Sequence, residues 1–456
     1  MGSKIPAEGR ISTKISRRKA ATIQTSSYME NNILKTALIG VGNMGRKYAE
    51  MITAGEVPHM KLTAVVIRRD ELMEWGKSLV NTDGEKVKIF RSAEELFAAE
   101  AENINVNIIG NYIQKLNDKK PEKSTDNCKG NEENTNDYKN NKEDNYKIHT
   151  TSLFDAVIIA TPHKTHKELA LKAFALKKDV LCDKPAAADI GEALEMNEAA
   201  SKSNRIYGMV FHQRLYPKYV KIKEMIDNNE LGELVRVNLI NSRYLRTTHY
   251  HKSGSWRSSF AGEGGGALIN QGQHILDMFQ YLFGMPQRIF AVIPFGKYNN
   301  FAVDDEDTII MSYDNGMTAS FVLTTGEACY EERLEVIGTK AKLLLEDNTL
   351  TITRHQDVRE YIKTENVNSR ENMHFTQEII EYEKEPEPYT RLLEGFAKAS
   401  LEQNSDYLVA RGEEGINSLM LCAGAYYSAC RGIQVELPLD ADEYRKLMDE
   451  LISKEQ

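Results

Sequence analysis

The chain has 456 residues, 67 of them acidic and 58 basic, for a formal net charge of −9, and 41% are hydrophobic. That much apolar side chain builds a real core and excludes collagen-like, wholly disordered and disulfide-scaffold classes. The acidic balance speaks against a dedicated nucleic-acid binder, and no run approaches the roughly 18 consecutive apolar residues of a membrane span, so a small molecule is the expected partner. Five cysteines without CxxC spacing point to reduced thiols in a cytoplasmic protein rather than to disulfides or a metal site.

In chain order, residues 1–32 show no apolar period and read as a disordered basic tail. From residue 33 a strand, a glycine turn and a helix follow one another. A second strand at LTAVVI (62–67), a helix carrying Leu72, Trp75 and Leu79, and a third strand, VKIF, continue the alternation. Ser92 and Glu95 have the spacing of a reciprocal helix cap. Residues of about 103–150 form a low-complexity insertion rich in Asn, Lys, Asp and Glu. They bury too little to offset their ordering entropy and are expected to be disordered, although INVNII at its start has the alternation of an edge strand. Beyond it come DAVIIA, a helix through Leu169, Ala173 and Leu176, the strand DVLC, a helix through Ala193, Met196 and Ala200, and RIYGMVF. Alternating strands and helices imply an α/β fold with a parallel sheet over residues 33–212. Residues 213–456 change pattern to strands joined by turns, with Asp314-Asn315-Gly316 as a hairpin signal, and read as an α+β domain with a mostly antiparallel open sheet.

GVGNMG lies between the first strand and the first helix, the context of a dinucleotide-binding turn. Gly40 permits the tight turn, Gly42 lets a pyrophosphate approach the backbone, and Gly45 allows close helix packing, with Val41, Asn43 and Met44 completing the cradle. The second strand ends in Ile67, Arg68 and Arg69. An uncharged side chain where NAD enzymes carry a carboxylate, followed by two guanidinium groups, favours NADP over NAD, unless Asp70 takes the acidic role.

Cys182-Asp183-Lys184-Pro185 ends a strand on the edge of the sheet where doubly wound folds bind ligands. GEGGGALINQGQHILDMFQYLFG (262–284) places a glycine run before a helix. Its core stripe is Leu268, Ile275, Phe279 and Leu282, and a polar stripe of Asn270, Gln273, His274 and Asp277 lies beside it.

Together these segments resemble the glucose-fructose oxidoreductase / inositol dehydrogenase / rhizopine-catabolism family, Gfo/Idh/MocA. GVGNMG, ATPHKTH, DKP in place of the usual EKP, GGGALINQGQH, VDDEDT, RLEVIGTKA and ACRGIQVELP occur in the family's order across about residues 34–440. The resemblance implies a Rossmann domain and an α/β domain whose open sheet joins a homodimer or homotetramer. It implies hydride transfer between NAD(P) and a secondary alcohol of a sugar, cyclitol or related polyol. Lys184 would stabilise the reacting oxygen and His274 would take the hydroxyl proton, while Asn270, where many members have Asp, would orient the imidazole. Asp277 would support the histidine from the other side or face solvent. Thr161, Pro162, His166 and Asp183 fall at cofactor positions; Arg243, Tyr244 and Trp256, with His251 and Arg257, fall on the segment that lines the substrate pocket. A cofactor-binding regulator without catalysis and a dihydrodiol dehydrogenase or reductase on a non-sugar substrate are the competing readings. Retention of both Lys184 and His274 favours the enzyme.

Overall fold

The computed structural model describes residues 32–104, 152–254, 257–365, 367–384 and 386–455. The tail, the insertion from residue 105 to 151 with all of its INVNII segment but Ile104, which lies in a helix, and Trp256 therefore lie outside the described residues. Six parallel strands form the first sheet: β1 (Leu34–Ile39), β2 (Met60–Val66), β3 (Lys88–Phe90), β4 (Ala156–Ile159), β5 (Asp179–Cys182) and β6 (Tyr207–Met209). Their order, β3-β2-β1-β4-β5-β6, reverses direction between β1 and β4, which is where doubly wound sheets bind ligands.

The near-continuous apolar sequence of these strands follows from burial on both faces. Ala37, Ile39, Val157, Ile159 and Val180 face helices that include residues 93–104, His166–Ala175 and Ile190–Ser203. Their alternates Leu34, Leu38, Leu62, Val65 and Leu181 face the helix Asn43–Thr53. That second face is completed from far along the chain: the helix Tyr389–Glu402 packs Leu392, Leu393, Phe396 and Ala397 onto it. The cap before residue 93 forms with a shift of one residue. Ser92 Oγ accepts from the Glu95 amide at 3.1 Å, but Glu95 reaches back to the amide of Arg91 at 2.7 Å instead of that of Ser92.

The second sheet has nine strands: β7 (Leu234–Asn241), β8 (Arg288–Val292), β9 (Glu306–Ser312), β10 (Thr318–Thr324), β11 (Glu332–Gly338), β12 (Ala341–Glu346), β13 (Thr349–His355), β14 (Phe375–Glu381) and β15 (Val435–Glu436). Their order is β14-β13-β12-β11-β7-β10-β9-β8-β15, antiparallel throughout except for the β7–β10 pair. The 314–316 turn joins β9 to β10 with Gly316 at φ +87°, the left-handed conformation that a glycine adopts without steric cost.

Either side of the insertion, the chain is fastened by a buried ionic cluster. Glu100, fully buried, accepts from Ser152 Oγ at 2.7 Å, from the Leu153 amide at 2.8 Å and from Lys178 Nζ. Lys178 also donates to the Phe154 carbonyl at 2.8 Å. Glu100→Gln removes the charge that balances a buried ammonium. It is expected to lower unfolding stability by about 1–3 kcal/mol in a urea titration, and an unchanged midpoint would rule out the clamp.

Candidate active site

At the glycine turn, Gly40 has φ +100°, and a Cβ there would lie 2.4 Å from the Ala160 carbonyl oxygen, so the β1 and β4 turns are pressed together. A Cβ on Gly45 would lie 1.8 Å from the Gly40 carbonyl, whereas one on Gly42 would point into open space. Gly42 and Asn43 are exposed and Met44 partly so, while Val41 is buried. The helix Asn43–Thr53 has no side-chain cap and no acidic residue in its first turn. Its leading amides are therefore free for an anion, and the cradle fits the pyrophosphate of a dinucleotide.

Beyond β2, Ile67 is fully buried and Arg68 and Arg69 are exposed. Arg69 donates to the Val41 carbonyl at 3.3 Å, which fixes its stem against the cradle. Asp70 is engaged by Arg91 at 2.5 Å, and Arg91 also donates to the Arg68 carbonyl at 3.2 Å. A third guanidinium thus joins the two found in sequence; it arrives from β3 and carries no local motif.

Across the turn, Thr161 Oγ1 accepts from Thr165 Oγ1 at 2.7 Å and Pro162 is exposed. His166 does not present a free ring to the cleft. It is fully buried, with Nδ1 2.9 Å from the Pro185 carbonyl and Nε2 2.8 Å from the Thr161 carbonyl. With both ring nitrogens within hydrogen-bond distance of backbone carbonyls, the residue ties the β4 turn to the loop after β5.

Lys184 lies in that loop, and its Nζ donates at 2.9 Å to the carbonyl of Asn270. Burial pushes its pKa down, offset by the charges of Asp183 and Glu263. Asp183 accepts from the Lys184 amide at 2.8 Å, and burial raises its carboxyl above the usual range. The stretch expected as one helix is broken at Gln271 into Ala267–Asn270 and Gly272–Phe283. Asp304 supports the first piece by accepting from the amides of Gly266 and Leu268, each at 2.7 Å.

The polar stripe on these two pieces is divided among different tasks. Gln273 is buried and accepts from Ser418 at 2.9 Å. Asp277 is neither a second support for His274 nor a solvent contact. It is buried and holds Arg214 bidentately at 2.9 and 2.6 Å, and Arg214 in turn reaches Glu414 at 2.5 Å. Asn270 does not orient the imidazole: its amide donates to Tyr250 Oη at 3.2 Å and to the Glu263 carboxylate. His274 keeps Nδ1 without a hydrogen-bond partner and packs against His212, ring centroids 4.8 Å apart. Burial, then the Lys184 cation, then His212 drive its pKa well below the ordinary value. His212 is itself pushed down to about 4 by burial. Both imidazoles are thus neutral at pH 7, and His274 can accept a proton.

On the substrate side, Arg243 stacks on Tyr330 and reaches Glu332 at 3.5 Å, and Tyr244 is half-buried. A small cavity is lined by Tyr250, His251, Ser258, Glu263, Asn270 and Gln271. Tyr250 Oη accepts from Arg257 at 2.8 Å and from Gln271 at 3.0 Å in addition to Asn270. Sequence patterning did not single out Tyr250, Glu263, His212 or Tyr389, whose ring packs on His212 with centroids 4.2 Å apart. Glu263 sits inside the glycine motif and was the one open to notice there, as the only ionisable side chain among five residues. Among the described residues, no group of three or more His, Cys, Asp or Glu side chains is arranged to hold a metal ion, and no helix is long and apolar enough to cross a membrane.

A glycine turn that fits a pyrophosphate, with the Lys184 cation bearing on the neutral His274, suits a nucleotide-dependent oxidoreductase. Residues 34–211 match the oxidoreductase family with an NAD-binding Rossmann fold, and residues 219–344 match the GFO/IDH/MocA C-terminal domain. The chain belongs to the Gfo/Idh/MocA family of oxidoreductases. It is 28% identical over 195 residues to trans-1,2-dihydrobenzene-1,2-diol dehydrogenase of Bos taurus, covering 42% of this chain and 55% of that protein. It is 30% identical over 166 residues to scyllo-inositol 2-dehydrogenase (NADP(+)) of Bacillus subtilis, covering 35% and 48%. The matches therefore span about half the length of these relatives. Levoglucosan dehydrogenase, solved with NADH and levoglucosan, superposes with a TM-score of 0.63 at 18% identity over 90% of this chain and 100% of that one, a likeness of fold.

Proposed function

We propose that this chain is an NADP-dependent dehydrogenase acting on a secondary alcohol of a sugar, cyclitol or related polyol, in the direction of either the alcohol or the ketone. The observation that carries the reading is the contact of Lys184 with the Asn270 carbonyl, at the end of the short helix that immediately precedes the helix of His274, beside the ligand-binding edge of the Rossmann sheet. When bound, the cofactor supplies the hydride acceptor or donor. Lys184 holds the substrate oxygen and stabilises the negative charge that develops on it. His274, kept neutral by burial and by the lysine cation, removes the hydroxyl proton during oxidation and returns it during reduction. Asn270 and Glu263 fix the floor of the substrate cavity, and Tyr244 offers an apolar face to a ring.

The cofactor preference rests on Arg68, Arg69 and Arg91 around the end of β2, where Asp70 is already engaged by Arg91. An NADP(+)-dependent inositol dehydrogenase among the relatives accords with it. NADPH should bind more tightly than NADH in a fluorescence titration, and Arg68→Ala should narrow the gap by about tenfold, the worth of one charge-assisted contact. Equal affinities would dismiss NADP. The activity itself is read at 340 nm with sugars, cyclitols and diols and each oxidised cofactor; silence across the panel would count against the dehydrogenase. A dihydrodiol is the second substrate reading, favoured by the bovine relative's name. The open face of the nine-stranded sheet exposes Phe290, Val292 and Ile310 and is the surface we assign to self-association. The buried free thiols Cys182 and Cys422 suit the cytoplasm.

A further inference from the structure

Arg246 follows β7 on the chain segment that borders the substrate cavity. Its guanidinium carbon lies 4.4 Å from the centroid of the Tyr250 ring and 5.4 Å from that of Tyr244. Its Nε is buried without a hydrogen-bond partner. Among the described residues no carboxylate is in ion-pair range of it, and the nearby acids are otherwise engaged. Glu263 accepts from Asn270 and from the Ser258 amide at 3.0 Å and faces Arg257 at 3.7 Å. Asp305 accepts from the amides of Lys297, Tyr298 and Asn299 at 2.8 to 2.9 Å.

Arg257 covers the other approach to Tyr250, its guanidinium carbon 4.6 Å from that ring. The charges of Arg246 and Arg257 both bear on Lys184. The substrate side of the site thus holds Lys184, Arg246 and Arg257 near the carboxylates of Asp183, Glu263 and Asp304, of which Glu263 faces Arg257 and none is in ion-pair range of Arg246 among the described residues. Arg246 is partly buried, and its desolvated Nε without a partner is unfavourable unless a ligand supplies one; its planar fork of donors matches a carboxylate or a phosphate.

We propose that the substrate is an anionic polyol, one carrying a carboxylate or a phosphate, and that Arg246 is the residue that recognises its charge. This rests on the dehydrogenase reading of the same site and adds the substrate class. A neutral polyol would leave Arg246 without an ionic partner; an acidic one supplies that partner while its reacting hydroxyl meets Lys184 and His274.

The test uses the full-length protein loaded with oxidised cofactor and compares glucose and myo-inositol with glucuronate, gluconate and glucose 6-phosphate. Initial rates at 340 nm should show at least a tenfold higher kcat/KM for an acidic compound than for the neutral ones. Arg246→Gln should shrink that preference by roughly 10- to 100-fold, chiefly through KM, and Arg246→Lys should restore part of it. Which acid is preferred separates carboxylate from phosphate. Turnover of the neutral compounds at equal or better efficiency overturns the proposal and leaves the dehydrogenase standing. If no compound is turned over, the dehydrogenase reading fails, and calorimetric titration of the same three acids still decides the anion site. Binding weakened by Arg246→Gln upholds it, and absence of binding by all three overturns it.

Discussion

Lys184→Met is expected to lower kcat by roughly 10²–10³-fold while leaving the dissociation constant of the cofactor within about twofold. The ammonium is the donor aimed at the oxygen on which charge develops, and loss of one such donor costs on that scale. The phosphate cradle around Gly42 is built from a different loop and should be untouched. A second readout separates chemistry from simple loss of structure. His274 has its pKa held below 6.5 by burial and by the Lys184 cation, so kcat/KM should fall on the acid side only well below pH 6.5, where the imidazole protonates. Removing the cation makes the imidazolium less unfavourable. The residual activity of Lys184→Met should therefore show its acid limb moved up toward pH 6.5. Full activity of the variant would remove Lys184 from the chemistry, and an unmoved limb would show that burial alone sets the histidine.

The largest loss of stability should follow Asp277→Ala. Arg214 and Asp277 are both buried, and their fork of two hydrogen bonds joins the segment just after the Rossmann match to the helix that carries His274. Truncating Asp277 leaves the buried Arg214 only Glu414 as a carboxylate and removes two charge-assisted hydrogen bonds, at a cost of about 3–5 kcal/mol, visible as a lower urea midpoint with an unchanged slope. The double variant Arg214→Met with Asp277→Leu leaves no orphan charge and should be more stable than Asp277→Ala alone. If the double variant instead lost the sum of the two single losses, the pair would not be coupled and its role as a joint would be refuted. The same single variant should also reduce kcat/KM, since the His274 helix loses its anchor one turn beyond the imidazole.

The Rossmann half was legible in sequence to an unusual depth because its signals are local. A tight turn that only glycine fits, strands made apolar by burial on two faces, and a lysine just beyond a strand end each occupy a few consecutive residues. The site was legible as a set of residues more than as a set of contacts. The Lys184 cation is near enough to bear on His274, but Asn270 turns to Glu263 and Tyr250, Asp277 turns to Arg214, and His166 turns to two backbone carbonyls. Each of those side chains has several partners compatible with its chemistry, and spacing along a helix says which face it occupies without saying what that face meets.

By itself, the sequence determined the class of fold and the family, and it marked the glycine turn, Lys184 and His274 as candidates, since these depend on backbone conformation and short-range periodicity. Tertiary structure alone decided the rest. The helix Tyr389–Glu402 roofs a sheet that begins at Leu34, Lys47 bridges to Glu387 across 340 residues, Arg214 finds Asp277 at a separation of 63, and β7 pairs in parallel with β10. Arg246 is left beside the cavity with no acid of its own. Such pairings are selected by burial and charge balance summed over the whole folded chain, and a desolvated charge finds its counter-ion, or lacks one, only once distant segments have closed around it.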